Sequence, residues 1–286
     1  MDFVAIDVET ANPDFASICQ VGVAMFRDGT LLDTWESLVD PEDYFDEMNV
    51  AIHGIGERTV HGAPKWQAVN ELLAPWLQGH VIASHTPFDR AAIFRACEKN
   101  GIPPPHNCTW IDTARVVRRA WPAFAKKGYG LANVTKHLNI LFQHHNARED
   151  ARAAGEILLR AMAETGLTIE QWLDRAAKPI DPLATASGSR SGNPDGPLYG
   201  ETVVFTGTLS MPRREASDLA ATAGSEVDSG VTKHTTVLVV GDQDIARLSG
   251  HEKSTKHRKA EELMAQGQVI RIIGESDFRR LLALPI

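Results

Sequence analysis

Cysteine is scarce in this chain of 286 residues. Only Cys19, Cys97 and Cys108 occur, an odd number with no CxxC spacing. That pattern argues against a disulfide framework or a zinc site and fits a reducing cytoplasm. Long apolar runs are also missing, none reaching the roughly 18 residues a membrane span needs. No basic stretch precedes the first apolar run, Phe3-Val4-Ala5-Ile6, so no signal peptide is expected. Basic charge is in deficit: 29 Lys and Arg stand against 37 Asp and Glu, a net of −8. Taken alone, that balance counts against nucleic acid as a partner. The rest of the composition, 43% hydrophobic and 23% charged, excludes a disordered or collagen-like chain. The length suits two domains.

The division is compositional. Pro179 to Leu198 holds four prolines, three glycines and three serines, half of its 20 residues, with neither a helix nor a strand period. Such a stretch buries too little apolar surface to offset its ordering entropy, so 179–197 reads as a flexible linker. It separates a unit at 1–178 from a smaller one at 198–286. The tail from Pro197 is close to neutral at −1, and the remainder carries −7.

In the first unit, Phe3–Val8 is a near-continuous apolar run, as expected of a strand buried on both faces. Ile18–Phe26 and Leu31–Val39 flank Asp28-Gly29-Thr30, a hairpin signal. Helical periods follow at 65–78, 87–99, 112–120, 130–138 and 147–164, with short strands at Val81–Ala83 and near Thr109–Ile111. Three antiparallel strands followed by alternating helices and strands predict an α/β unit, one mixed sheet with helices on both faces.

Chemistry concentrates at three places. Asp7 and Glu9, two apart at the carboxyl end of the first strand, leave it on the same face. Alone they read more simply as two solvated acids at a strand exit. In Ser84-His85-Thr86-Pro87-Phe88-Asp89, Thr86 is a good N-cap and Pro87 suits the first helical position, which makes Asp89 the third helical residue. Alone, Asp89 is equally a capping acid favoured by the helix dipole. In His145-Asn146-Ala147-Arg148-Glu149-Asp150, Asn146 and Glu149 form a capping box. His145 and Asp150 then occupy the two positions that a hydrophobic staple brings together. The row Asp150, Ala154, Ile157, Ala161 is otherwise apolar, and a carboxylate on a core-facing row is costly unless paired or bound to metal. Carboxylates gathered with one histidine select hard cations, Mg²⁺ or Mn²⁺. Two such ions can clamp an in-line phosphoryl displacement while the histidine takes a proton from the attacking water.

The order and spacing of these three motifs resemble the DnaQ-like (DEDDh) 3′–5′ exonucleases over about residues 1–165. The resemblance implies an RNase H-like fold and two divalent cations held by Asp7, Glu9, Asp89 and Asp150. It makes His145 the general base, with His144 a neighbouring candidate, and the reaction a hydrolysis from the 3′ end that releases nucleoside 5′-monophosphates. Thr10, following Glu9, and His53, in Ile52-His53-Gly54-Ile55, match the segments beside the terminal nucleotide; His53 is equally a cap on a short helix. Thr86 departs from the family, which commonly has Asn there. Trp66, Trp76 and Trp121 read as packing residues. The acidic run Asp40, Glu42, Asp43, Asp46, Glu47 reads as a solvated loop. Arg115, Arg118, Arg119, Lys126 and Lys127 could form a local basic strip, although a solvent-facing helix and loop is the better reading.

In the tail, Val203-Val204-Phe205 leads into Thr206-Gly207-Thr208-Leu209. Then come a helix over 212–223 ending at Gly224, a strand Thr236–Val240, a helix over 255–266, a strand Val269–Ile273 and a last helix from Ser276. This alternation predicts a small parallel α/β domain. Phe205-Thr206-Gly207, Gly224, Val237–Gly241, Lys259-Ala260 and Phe278 resemble a BRCT domain. Some members of that family bind phosphate, which the resemblance assigns to Thr206, Gly207, Arg213 and Lys259; solvated or turn roles for the same residues stay open.

The expected protein is therefore a cytoplasmic, metal-dependent 3′–5′ exonuclease acting on nucleic acid with a free 3′ end, DNA before RNA. Its BRCT module would recruit DNA ends or a protein partner, and no membrane is involved. Metal would neutralise four of the acids behind the charge deficit. The rivals are an RNA or oligonucleotide exonuclease and a catalytically quiet BRCT-based adaptor.

Overall fold

The computed structural model describes residues 2–178, 180, 193, 196–242 and 253–283. The chain forms two compact units whose main break falls between Ile180 and Asp181. The linker reading at 179–197 lies almost wholly outside the described residues.

The first unit opens with β1 (Asp2–Thr10), β2 (Ile18–Arg27) and β3 (Thr30–Leu38). Asp28 and Gly29 both take positive φ, 49° and 78°, the backbone of a two-residue turn whose twist suits a hairpin. Next come α1 (Glu47–His53), α2 (Glu57–Val60), α3 (Trp66–Leu77), β4 (Val81–Ser84) and α4 (Phe88–Lys99). The unit continues with β5 (Thr109–Asp112), α5 (Thr113–Ala120), α6 (Leu131–Leu138), α7 (Ala147–Thr165) and α8 (Ile169–Ala177). The five strands form one sheet in the order β3-β2-β1-β4-β5. β1–β2 and β2–β3 pair antiparallel, whereas β1–β4 and β4–β5 pair parallel. This is the mixed sheet the alternation predicts. The short helix weighed at His53 is α1, whereas α2 and α8, short and weakly periodic, have no counterpart among the expected helices. The acidic run is more than solvated loop: Asp46 is buried and accepts the Met48 N–H at the start of α1, and Asp43 pairs with Lys99 at 2.9 Å.

Helix α7 dominates the packing. It lies across β1 and β2 with Ala154, Ile157, Leu158 and Ala161 buried. Its approach is set by two glycines. A Cβ on Gly22 would stand 2.1 Å from the Arg148 nitrogen, and one on Gly155 would stand 2.0 Å from the Phe26 ring. Phe26 itself stacks on Phe3 at 4.9 Å between centroids. The first gap cannot be filled without moving the helix off the sheet, and filling the second would displace the Phe26 ring or the helix.

The second unit contains β6 (Thr202–Thr206), α9 (Arg213–Thr222), β7 (Glu226–Asp228), β8 (Val237–Val240), α10 (Thr255–Ala265), β9 (Arg271–Gly274) and α11 (Glu275–Ala283). Its four strands are all parallel, in the order β7-β6-β8-β9. Val204, Leu238, Val240, Ala260 and Ile270 form one core cluster. Among the described residues no helix is long and apolar enough to cross a membrane.

Candidate active site

The site lies at the carboxyl end of β1, where ligands commonly bind in sheets with parallel strands. Asp7 and Glu9 point from one face of β1, with a register shift between Glu9 and Thr10 just beyond them. Such irregularities re-aim side chains at strand ends. Across the pair, Asp7 faces Gly22 and Glu9 faces Gln20. Because Gly22 leaves room, the first turn of α7 rests directly on β2. The Gln20 carboxamide oxygen accepts the Ala147 N–H at 3.2 Å, satisfying one of the helix's otherwise unpaired first-turn donors. Asn146 caps the same turn by accepting the Glu149 N–H at 3.1 Å, as its sequence position predicts. Asp150 is thereby delivered to β1. Donor atoms of Asp7, Glu9 and Asp150 all lie within 4.8 Å of one another.

Asp89 arrives by a different route from the expected one. Pro87, not Thr86, occupies the cap position of α4, and Asp89 is the second helical residue. Thr86 sits at φ 95°, a strained setting for a β-branched residue. Two contacts hold it there: its N–H donates to Asp112 Oδ1 at 3.1 Å, and Ser84 Oγ donates to its carbonyl at 2.9 Å. The Asp89 carboxylate leaves its own helix end and accepts the Val8 N–H at 3.2 Å, between Asp7 and Glu9. Asp89 and Asp150 are each only 3% exposed. Sequence reading missed Asp112, which also accepts the Ala114 and Arg115 N–H groups as the cap of α5. Burial pushes its carboxyl above the usual range against the opposing pull of Arg115. An Asp opening the helical period at 112–120, where a cap belongs, was the signal that could have found it.

His145 and Asp150 do converge, but with a distribution of roles that spacing alone did not disclose. Asp150 Oδ2 accepts the His145 backbone N–H at 2.9 Å, while Asp150 Oδ1 lies 3.1 Å from Nδ1 of His144. The two imidazoles stack at 3.8 Å between centroids. His85 is buried, with Nδ1 2.9 Å from Thr113 Oγ1 and Nε2 2.8 Å from the Tyr129 carbonyl.

At Thr10, the carbonyl accepts from Asn49 Nδ2 at 2.8 Å and from His53 Nε2 at 3.2 Å. Nδ1 of His53 accepts the Ile55 N–H at 3.0 Å, so the ring is neutral with its proton on Nε2. Desolvation lowers its pKa below the ordinary histidine value, partly opposed by the Thr10 carbonyl. Thr10 and His53 therefore belong to one wall beside the acidic residues.

The helical part of the basic strip is not solvent-facing, whereas its loop part is. Arg115 and Arg118 are buried. Arg115 donates to the Ala176 carbonyl at 2.9 Å and Arg119 to the Lys178 carbonyl at 2.6 Å, both at the end of α8. Arg118 donates to the Ala125 carbonyl at 3.3 Å and lies over the Tyr129 ring. These cations satisfy helix-end and loop carbonyls, which sequence periodicity cannot distinguish from a wet face. Lys126 and Lys127 are exposed, and Trp66 and Trp121 are buried packing residues as expected.

In the second unit, the end of β6 gathers Thr206, Ser254, Lys256 and Arg213. Thr206 Oγ1 lies 2.8 Å from Ser254 Oγ. Arg213 donates to the Phe205 and Gly207 carbonyls at 2.6 and 2.8 Å, and Lys256 donates to the Phe205 carbonyl at 3.0 Å. Burial and the neighbouring Arg213 charge lower the Lys256 pKa. Lys259, expected here, pairs instead with Glu262 at 2.9 Å. One helical turn separates the two lysines, and only the packing of α10 decides which faces β6.

An acidic cluster at a strand end, on a mixed sheet crossed by one long helix, defines a nuclease-type α/β fold. Residues 4–158 match the exonuclease family RNase_T, more than half of the chain, and this chain belongs to that family. Residues 193–280 match the BRCA1 C-terminus (BRCT) domain. The chain is 29% identical over 167 residues to the PolC-type DNA polymerase III of Latilactobacillus sakei, covering 57% of this chain and 11% of that protein. It is 24% identical over 196 residues to the Bacillus cereus counterpart, covering 67% and 13%. The chain thus spans about a tenth of the length of these curated relatives. Its fold is similar to that of exonuclease X solved with 5′-overhanging duplex DNA, at 23% identity and TM-score 0.50 over 61% of this chain and 99% of that one. Exonuclease I gives 16% identity and TM-score 0.50, covering 61% of this chain and 42% of that one. The fold is RNase H-like, and family membership implies divalent metal. The donor set fits: three carboxylates converge, offering only oxygen, and a cation there offsets their mutual repulsion.

Proposed function

We propose that the chain is a 3′–5′ exonuclease that trims DNA to nucleoside 5′-monophosphates, using two Mg²⁺ or Mn²⁺ ions. The observation that carries this reading is the meeting of Asp7, Glu9 and Asp150 within 4.8 Å, with Asp89 fastened to Val8 between the first two. These four side chains would hold the cations, which when bound supply charge stabilisation for phosphoryl displacement. His145 takes the proton from the attacking water, and the bond from its backbone N–H to Asp150 fixes the loop that presents it. The Thr10–His53–Asn49 contacts stiffen the wall against which the terminal nucleotide sits. DNA is favoured over RNA because the curated relatives are DNA polymerases and the exonuclease X structure holds DNA. In the BRCT unit, Thr206, Gly207, Arg213 and Lys256, rather than Lys259, would receive a phosphate of a DNA end or protein partner by charge-assisted bonds.

The test is digestion of 5′-labelled DNA and matched RNA with Mn²⁺. Labelled products should shorten one nucleotide at a time, faster for DNA. Asp7→Ala should abolish cleavage, and His145→Ala should slow it about 10²–10⁴-fold. Undiminished metal-dependent digestion by Asp7→Ala would refute the assignment, and equal or faster loss of RNA would transfer it to RNA.

A further inference from the structure

Asp150 belongs to two clusters. One is the all-oxygen group with Asp7 and Glu9; the other is His144, His145 and Asp150, whose donor atoms also lie within 4.8 Å of one another. The second differs in chemistry, having two imidazoles and one carboxylate. We propose that it is a separate site for Zn²⁺ or a similar borderline cation, and that filling it shuts down the acidic site.

Three features support the assignment. His144 Nδ1 and Asp150 Oδ1 are 3.1 Å apart. Zinc bonds of about 2.0–2.1 Å in tetrahedral array put neighbouring donors about 3.3 Å apart, so an ion fits between them with little movement. His145 sits at φ 64°, a left-handed turn in which consecutive side chains need not alternate as they do along a strand. Its ring accordingly stacks on that of His144 at 3.8 Å and 17°, putting both imidazoles on one side of the backbone. The His144 side chain is 36% exposed, which leaves a path for the ion and a place for a water ligand. Two nitrogens and one carboxylate oxygen with an open position are the donors of a borderline metal, whereas the neighbouring oxygen trio suits hard cations. No cysteine takes part.

The consequence follows from the shared residue. An ion held by His144, His145 and Asp150 draws on the same Asp150 carboxylate as the trio and occupies the imidazole that would accept the water's proton. Inhibition rests on the exonuclease reading; the metal site itself does not.

The full chain is titrated with Zn²⁺ alone by calorimetry, and with Co²⁺ while the visible ligand-field band is recorded. One strong site should appear. His144→Gln keeps a donor toward Asp150 but removes the imidazole; it and His145→Gln should each weaken Zn²⁺ binding at least tenfold and alter the Co²⁺ band. Asp7→Asn should weaken Zn²⁺ binding less than either histidine variant and leave the Co²⁺ band unchanged, because it removes a nearby charge and not a ligand. Loss of Zn²⁺ binding in Asp7→Asn equal to that in His144→Gln, or unchanged binding in both histidine variants, overturns the site. In Mn²⁺ digests, Zn²⁺ should inhibit the parent chain at a concentration at least tenfold below that needed for His144→Gln. Digestion without histidine-dependent Zn²⁺ binding removes this proposal and leaves the exonuclease reading intact. Histidine-dependent Zn²⁺ binding without digestion does the reverse.

Discussion

Asp7 faces Gly22 across the β1–β2 pair, and the missing side chain at Gly22 lets the first turn of α7 settle on the sheet and deliver Asp150 to Asp7. The spacing of the acidic trio is thus set by a residue that carries no chemistry. Gln20, two residues earlier on the same face of β2, completes the docking through Ala147.

Gly22→Ala should therefore damage the site more than its size suggests. The added Cβ would meet backbone at 2.1 to 2.4 Å, which no rotamer change relieves. Overpacking of this kind costs about 1–3 kcal/mol. The expected outcome is a lower Tm and, more tellingly, loss of the Mn²⁺-induced rise in Tm, because Asp150 is carried away from Asp7 and Glu9. Differential scanning fluorimetry with and without Mn²⁺ reads both.

Thr86 stores strain in the loop that places Asp89. Thr86→Gly, which accepts φ 95° without penalty, should stabilise the protein by about 1 kcal/mol in urea unfolding. Asp112→Ala should act oppositely, by about 2 kcal/mol, since it removes a helix cap and the acceptor for the Thr86 N–H. Destabilisation of Thr86→Gly by more than the roughly 1 kcal/mol that glycine's added unfolded-state freedom costs would mean that the positive φ carries no strain.

His53 gives a pH signature with a definite sign. Its pKa is lowered in the fold, so above its ordinary value of 6.5 the ring is neutral in both folded and unfolded chains. As pH falls below 6.5, the unfolded chain takes up the proton first, and stability falls until the folded ring protonates too. Protonation also ends the bond Nδ1 accepts from Ile55. The drop in urea midpoint between pH 7.5 and 5.5 should be smaller in His53→Gln.

The two lysines of α10 provide a sharp comparison. In EDTA, which prevents digestion, Lys256→Ala should weaken binding of a 5′-phosphorylated oligonucleotide about tenfold, the worth of one charge-assisted bond. Lys259→Ala, already paired with Glu262, should stay within about twofold. Equal effects would place the phosphate elsewhere.

What could be read along the chain was local. The Asp28-Gly29 turn, the Asn146 cap, the helical periods at 65–78 and 147–164, and the meeting of His145 with Asp150 each depend on residues within a few positions of one another. Steric and hydrogen-bond preferences act directly over that range, so the amino-acid sequence by itself determined them, along with the alternation that makes both units α/β. The tertiary structure decided the rest. Asp89 reaches Val8 across 81 residues and Gln20 reaches Ala147 across 127. The burial of Arg115, the facing of Lys256 and the holding of Thr86 by Asp112 arise in the same way. Such contacts depend on which strands adjoin and how closely a helix can approach them, and packing sets that for the whole sheet at once.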